Sequence, residues 1–438
     1  MIHPKTHPKM QYTYVGIDSH KDTHTAVFLD CFFERLGVVQ FSNLPASFDS
    51  FLLQAQVYLM PGTSFMFGLE DCSSYGRGLM VWLKQSGYQV KHVNALLVAQ
   101  ERKNQSTVQK TDSIDAECAA RVLLSRFGSL PDANEEDKYW VLRSLVARRS
   151  LLVRHRAATK HYLHSLLTQQ YPNYRAFFEK IDCKTSLAFF ERYPSPSTLQ
   201  GVSAEELAAF LEIPSNRSVG MAKAQQILAS LHHHTNAAVT NTTITSAAIT
   251  TTTLITTPIP HQDVRDSVVR SAIRQIQFSI QEVDTLEVSI ETFLKEFNCT
   301  LTSMVGIDTV TAAQLLSCIG DIKKFSSPAK LARYAGVAPV TYASGKKDLQ
   351  YANQRGNREL NSLFFWLAVR LCSPTGPKHR INNSFFYDYY QRKMSEGKTK
   401  RQAIKCVERR LVNIIWTMLT NGEEYVNPPA YNLKDTLD

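Results

Sequence analysis

Four carboxylates in the first third of the chain have types and spacings that could hold divalent cations. Asp18 sits in VGIDSHKDTH beside apolar Val15 and Ile17, a poor setting for a carboxylate unless something positive meets it. Glu70 closes the apolar run SFMFGLE, and at the C-terminal edge of a sheet a carboxylate leans into a shared crevice. Strand alternation puts Glu70 and Asp71 on opposite faces, so only one of them joins such a cluster. Asp112 and Asp115 stand three apart in KTDSIDAECAARVLL, a spacing that brings side chains together on one helix face. Carboxylates so placed repel one another unless cations neutralise them. Mg2+ takes carboxylate oxygens and water, and two such ions about 4 Å apart stabilise the attacking and leaving oxygens of a phosphodiester transfer. Each acid also has a structural reading: helix N-cap for Asp112, first-turn acid for Asp115, satisfied turn residue for Asp18, helix cap for Glu70. His20, Asp22 and His24 read as hairpin surface.

A second constellation lies in GVAPVTYASGKKDLQYANQRGNREL. Ser344 is followed by Gly345, Lys346 and Lys347, with Arg355, Gly356 and Arg358 downstream. A glycine beside a serine lets a phosphate approach the backbone, and the cations would hold a scissile phosphate and stabilise its developing charge. A serine hydroxyl needs a base or a metal to take its proton, and no base adjoins Ser344 in sequence. The plain alternative is a basic turn with an ordinary Ser-Gly. Upstream, MVGIDTVTAAQLLSCIGD reads as a tight turn between two short helices; Gly306 and the amides after it could bind a phosphate, or the turn could simply pack.

The elements that must position these residues change character along the chain. From Tyr12 to Asp30 the pattern is strand, polar turn, strand, the hairpin start of a mixed sheet, with a third strand near Gly37–Ser42. Helical spacing over Ala46–Leu59, the strand SFMFGLE, an amphipathic helix over Tyr75–Ser86 and the strand YQVKHVN follow. Residues 1–135 should therefore form an α/β domain with a largely parallel core. Residues 136–298 read as a helical coiled-coil region, with long patterns after Asp137 and from Val264 to Phe297 that could pack antiparallel. Between them a Thr-rich stretch, about 235–260, reads as an insertion, preceded by His232–His234, which without a further ligand is linker. Residues 299–420 form a separate domain of short helices and Gly-centred turns, and 421–438 an irregular tail.

Bulk properties limit the function classes. The 438 residues suffice for roughly two to four domains. Net charge is +10, and from Leu301 onward 20 Lys plus Arg face 11 Asp plus Glu, so nearly all the excess lies in the last third. That suits a polyanionic partner, although a merely soluble basic surface would carry the same charge. The eight scattered cysteines form no Cys-x-x-Cys pair and read as reduced thiols of a cytoplasmic protein. The N-terminus has no apolar core for a signal peptide, and no apolar run reaches the ~18 residues of a membrane span.

VGIDSHKDTH, GLEDCSSYG and KTDSIDA together resemble the insertion-sequence transposases that join an N-terminal Asp-Glu-Asp-Asp domain to a C-terminal serine domain, relatives of the pilin-gene invertases. Asp18, Glu70, Asp112 and Asp115 match the four acids, and Tyr75 falls in register after Glu70. VGIDTVTAAQLLSCIGDIKKFSSPAKLARYAGVAPVTYASGKKDLQYANQRGNREL follows the family pattern and matches its catalytic serine with Ser344. Asp308 stands where a second glycine is usual, and its charge would repel phosphate there; Lys346 stands where a further glycine is common.

The resemblance implies a multidomain α/β plus α protein. Its parts would be a RuvC-like, ribonuclease-H-type N-terminal fold, a coiled-coil middle and a mostly α C-terminal catalytic domain with a helix-hairpin-helix-like element. It further implies Mg2+ or Mn2+ at the acids, donor and target DNA, a structured guide (bridge) RNA, and a homodimer or homotetramer in the bacterial cytoplasm. Transposase and invertase stay open as readings. So do two rivals: a metal-dependent nuclease or junction resolvase in which water attacks, and a non-catalytic nucleic-acid-binding protein.

Overall fold

The structure is a computed structural model that describes residues 7–426 apart from 71, 73, 106–108, 134–136, 172, 240–259, 345–346, 352, 354–355, 376–379 and 382. Gly345, Lys346, Arg355, most of the Thr-rich insertion and the end of the tail thus lie outside the described residues. The chain forms two compact units, Met1–Val141 and Leu142–Asp438.

In the first unit, β1 (Tyr12–Ser19), β2 (Thr23–Leu29) and β3 (Arg35–Ser42) are followed by α1 (Phe48–Ala55), β4 (Ser64–Leu69), α2 (Arg77–Gln85), β5 (Gln89–His92), α3 (Ala95–Asn104) and α4 (Asp112–Ser125). The sheet order is β3-β2-β1-β4-β5. The turns after β1 and β2 are too short for anything but antiparallel neighbours, whereas β4 and β5 return through longer connections and run parallel to β1. The core expected to be largely parallel is therefore parallel only over β1, β4 and β5. Both faces are covered, which is why β1 is apolar almost throughout: Val15, Ile17, Phe28 and Phe67 pack against Phe48, Phe51, Leu79 and Leu83 of α1 and α2. Tyr14, Val27 and Met66 pack on the other side against Val98 of α3 and the Ala116–Leu124 stretch of α4.

The second unit begins in α5 (Asp137–Gln170) and continues through α6 (Lys184–Arg192), α7 (Ala204–Glu212), α8 (Met221–Val239), α9 (Gln262–Leu294), α10 (Thr309–Ile319) and α11 (Pro328–Tyr334). After these come β6 (Val340–Ser344), β7 (Lys347–Tyr351), α12 (Arg358–Cys372), the two-residue strands β8 (Pro374–Thr375) and β9 (Arg380–Ile381), α13 (Ser384–Ser395) and α14 (Lys400–Asn421). The long helices α5 and α9 run antiparallel: Arg149 Nε donates to Glu287 at 2.8 Å, and Gln262 donates to Gln170 at 2.9 Å. Each end of the pair is buried in its own core. Leu163, Leu167, Val269 and Ile273 join an aromatic cluster of Tyr171, Phe177, Phe189 and Phe190. Leu142, Val146, Ile290 and Leu294 join the apolar faces of α10–α14, so residues on either side of position 298 share one core.

None of the eight cysteines forms a disulfide. Among the described residues no helix is long and apolar enough to cross a membrane.

Candidate metal and catalytic site

Alternation along β1 sends Val15 and Ile17 into the α1–α2 side of the sheet and leaves Tyr14, Gly16 and Asp18 facing α4. Gly16 makes that packing close. A Cβ there would lie 2.1 Å from the Ala116 carbonyl oxygen and 2.2 Å from the Ala120 nitrogen, so only glycine lets α4 lie on β1. The helix start is thereby held beside the end of the strand. Thr111, not Asp112, is its N-cap, accepting from the Ile114 N–H at 3.3 Å, which leaves the Asp112 carboxylate unused in capping.

The register between β1 and β4 ends at Ile17↔Leu69, and the next residues on the two strands are Asp18 and Glu70. The Glu70 N–H continues the ladder to the Ile17 carbonyl at 3.5 Å. Asp115, one turn into α4 and 7% exposed, is paired with the Arg102 guanidinium from the last turn of α3. Asp18 is 9% exposed, and its carboxyl is pushed up to about 6, first by burial and then by the negative charges of Glu70, Asp115 and Asp112, against a lowering pull from His20. Acids from a strand end and one helix face thus act electrostatically on the strand aspartate Asp18.

His20 is exposed on the hairpin surface, as expected, and from there it also reaches the cluster. Its Nδ1 lies 3.6 Å from Asp18 and its Nε2 3.9 Å from Asp112. One ligand atom from each of Asp18, His20 and Asp112 falls within 4.8 Å of the others, a grouping that could hold a metal ion. Asn43 fixes the turn that carries His20: its side-chain amide reaches the carbonyls of His20, Lys21 and Tyr75 at 3.3, 3.1 and 3.0 Å. The sequence signal for His20 was its position two residues past a strand aspartate; nothing local marked Asn43. Carboxylate oxygens with one imidazole nitrogen suit Mg2+ or Mn2+, because hard divalent ions prefer oxygen and Mn2+ also accepts imidazole.

In the second unit, Ser344 ends β6 and pairs in register with Lys347 at the start of β7. This hairpin was not anticipated in a domain read as mostly helical. Its signal was present in two alternating runs separated by Gly-Lys. Three asparagines of the segment that follows and of the start of α12 are bonded to α11 and its end: Asn353 donates to the Arg333 carbonyl at 3.0 Å, the Asn357 N–H to that of Tyr334 at 2.7 Å, and Asn361 to that of Ala335 at 3.0 Å. Arg358, exposed, is the first residue of α12 behind the N-cap Asn357.

At the upstream turn Gly306 has φ +94°, a backbone state that favours glycine, and a Cβ there would lie 2.9 Å from Leu371. Its carbonyl accepts from Arg370 at 2.9 Å, and Asp308 caps α10 by accepting from the Thr311 N–H at 2.7 Å. Burial would raise the Asp308 carboxyl, but the Thr311 hydrogen bonds and the Arg370 and Arg149 charges outweigh it and hold it below its ordinary value. A charged carboxylate in the cap position weighs toward packing rather than phosphate binding at this turn.

Comparison with known proteins finds family matches over both the carboxylate cluster and the Ser344 hairpin. A family model described as "Transposase", of the DEDD type, matches residues 15–172, and one described as "Transposase IS116/IS110/IS902 family" matches residues 298–380. The first spans all four acids and the second spans Ser344. A 44.8 kDa insertion element IS116 protein of Streptomyces clavuligerus is 25% identical over 426 residues, 95% of this chain and 96% of the relative. A 43.6 kDa insertion element IS110 protein of Streptomyces coelicolor is 28% identical over 72% of each chain. The pilin gene-inverting protein of Moraxella bovis is 31% identical over 127 residues, 28% of this chain and 37% of that protein. The two units thus carry the domains of a DNA transposase or recombinase. Within that class, the chain is similar to the IS110/IS116 insertion-sequence transposases over both matched stretches.

Proposed function

We propose that the protein cuts and rejoins DNA at the ends of an insertion sequence, through a serine nucleophile and an acidic divalent-metal site. The observation that carries the reading is the convergence of Asp18, Glu70, Asp112 and Asp115 on one corner of the first unit, with His20 between two of them. Asp18, Asp112 and His20 would hold Mg2+ or Mn2+, with Glu70 and Asp115 completing the charge. A bound ion there neutralises the carboxylates and stabilises charge developing on phosphate oxygens. The mixed sheet of order β3-β2-β1-β4-β5 supports reading this unit as RuvC-like, of the ribonuclease-H type.

Ser344 is the proposed nucleophile. Its oxygen would form a bond to phosphorus while the bond from phosphorus to the leaving strand oxygen breaks; that oxygen takes a proton, and the product is a phosphoserine that a second strand end reverses. Gly345, Lys346, Lys347, Arg355 and Arg358 would hold the phosphate; the Gly306 turn would serve packing before nucleic-acid contact. No base adjoins Ser344 in sequence, so its hydroxyl would need a proton acceptor from elsewhere in the protein, which would act as a homodimer or homotetramer. Recognition of donor and target DNA by a structured guide RNA, in the bacterial cytoplasm, belongs to the same reading through the family resemblance. The domain limits 1–135, 136–298 and 299–420 are likewise proposed.

Inversion rather than transposition is the second reading, favoured by the similarity to the pilin gene-inverting protein. Cleavage of element-end DNA with Mg2+ and guide RNA tests the first: Asp112→Ala and Ser344→Ala should each abolish it. If Ser344→Ala cuts as wild type does, water is the nucleophile and the protein is a metal-dependent nuclease.

A further inference from the structure

Helices α13 and α14 lie beyond residue 380, outside both family matches. Between Ser384 and Asn421 the chain carries eight Lys and Arg against three Asp and Glu. Two of those carboxylates are already engaged: Glu396 lies 2.7 Å from Lys393 and 3.7 Å from Arg392, and the buried Glu408 is 2.6 Å from Lys405. Among the described residues, Lys398, Lys400, Arg401, Arg409 and Arg410 have no carboxylate within ion-pair distance. Lys400 and Arg401 occupy the first turn of α14 with no acid beside them, where the helix dipole disfavours positive charge. A sequence that keeps cations in such a place gives up some stability, and a polyanionic ligand would offset the loss.

Concavity and aromatic surface accompany the charge. Arg409 and Arg410 line a groove of about 580 Å3 with Tyr389, Asn413, Thr417 and Tyr425. The Arg410 guanidinium lies 5.3 Å from the centre of the Tyr389 ring and 4.9 Å from that of Phe385. Unpaired bases stack on such ring and guanidinium planes, whereas a duplex keeps its base faces covered.

We propose that the α13–α14 groove binds an unpaired nucleic-acid strand, with a base against Tyr389 and Arg410 and its phosphates on Arg409 and Arg410 in the groove and on Lys400 and Arg401, outside it at the start of α14. Glu423 and Glu424 also line the groove, beyond ion-pair distance of Arg409 and Arg410, and their charge repels phosphate, so they weaken binding. This site uses neither Ser344 nor the carboxylate cluster.

The test is titration of the full-length protein, in chelator, with a fluorescein-labelled oligothymidylate and with the corresponding duplex. The double variant Lys400→Gln/Arg401→Gln and the variant Arg410→Gln should each weaken single-strand binding about tenfold and flatten its salt dependence, with no fall in melting temperature and, for the pair at the helix start, a slight rise. Glu423→Gln/Glu424→Gln should tighten it, and a 5-iodouracil base in the strand should cross-link to Tyr389. If Arg410→Gln loses the fold, the exposed Lys400/Arg401 pair carries the test. Unchanged affinity in that pair overturns the proposal; equal weakening for duplex with no cross-link at Tyr389 overturns it in favour of a duplex-backbone face. Ser344→Ala and Asp112→Ala should bind the strand as wild type does, which separates failure here from failure of the catalytic reading.

Discussion

The guanidinium of Arg102 is paired with the carboxylate of Asp115, an acid of which 7% remains exposed. A cation from the protein itself therefore holds one member of the acidic cluster in place. Sequence reasoning had given Asp115 a metal or a helix dipole as its partner; Arg102, thirteen positions earlier on another helix, was not foreseen.

Replacing Arg102 by Gln removes that counter-charge and leaves Asp115 facing Asp18 and Asp112. The metal-free protein should lose about 1–3 kcal/mol, and millimolar Mg2+ should restore most of it, because a divalent ion supplies the missing charge. Thermal melts with and without Mg2+ check this. A deficit that Mg2+ leaves untouched would count against the ion site.

Asp18 gives the pH dependence. Its carboxyl rises from 3.8 to about 6 on folding, so between those values the folded chain binds more protons than the unfolded one. The contribution is fully present below the lower value and is lost as pH rises through the upper one, up to about 3 kcal/mol. In chelator, wild type should lose stability relative to Asp18→Asn across that window and run parallel to it above. Divalent binding needs the ionised form, so Mg2+ stabilisation should grow as pH rises through about 6 in wild type and be absent in Asp18→Asn. A wild-type curve that gains on the variant in the window would contradict the burial argument.

His20→Ala should lower Mn2+ affinity roughly tenfold, with Asn43→Ala shifting it the same way by less, since Asn43 only fixes the turn. Titration calorimetry reads both. Equal affinity in His20→Ala and wild type would leave exposed His20 with no part in the ion site.

Gly16→Ala tests how the fold builds the site. The new methyl would meet backbone of α4 at 2.1 Å, so the helix must move and take Asp112 and Asp115 with it. The expected cost is about 3 kcal/mol or more, with loss of divalent binding. Gly68→Ala meets only the side chains of Val93 and Leu123, at 2.9 and 3.1 Å, and should be milder. Equal effects of the two would mean that the α4–β1 approach does not position the acids.

Much of this was legible because the first unit is written in short periods. Alternation marked the strands, and a buried aspartate between apolar neighbours marked Asp18. Three-residue spacing put Asp112 and Asp115 on one face. What stayed hidden depends on contacts between distant segments: Asn43 tying the His20 turn to Tyr75, Arg102 reaching Asp115, and the asparagine clasp that holds the segment after the Ser344 hairpin to α11. The hairpin itself was missed because its helical surroundings dominated the reading, although Gly-Lys between two alternating runs announced it. The antiparallel half of the sheet was underweighted for a similar reason, since strand and helix alternate strongly only after β3.

The covalent step is the centre of the account, and trapping tests it most directly. Wild-type protein incubated with Mg2+, guide RNA and a nicked suicide DNA, whose cleaved end diffuses away, should yield a protein–DNA adduct with phosphate on Ser344, identified by mass spectrometry of the digested peptide. The adduct should be absent from Ser344→Ala and from Asp112→Ala. Cleavage without any adduct, or an adduct that persists in Ser344→Ala, would contradict the serine mechanism.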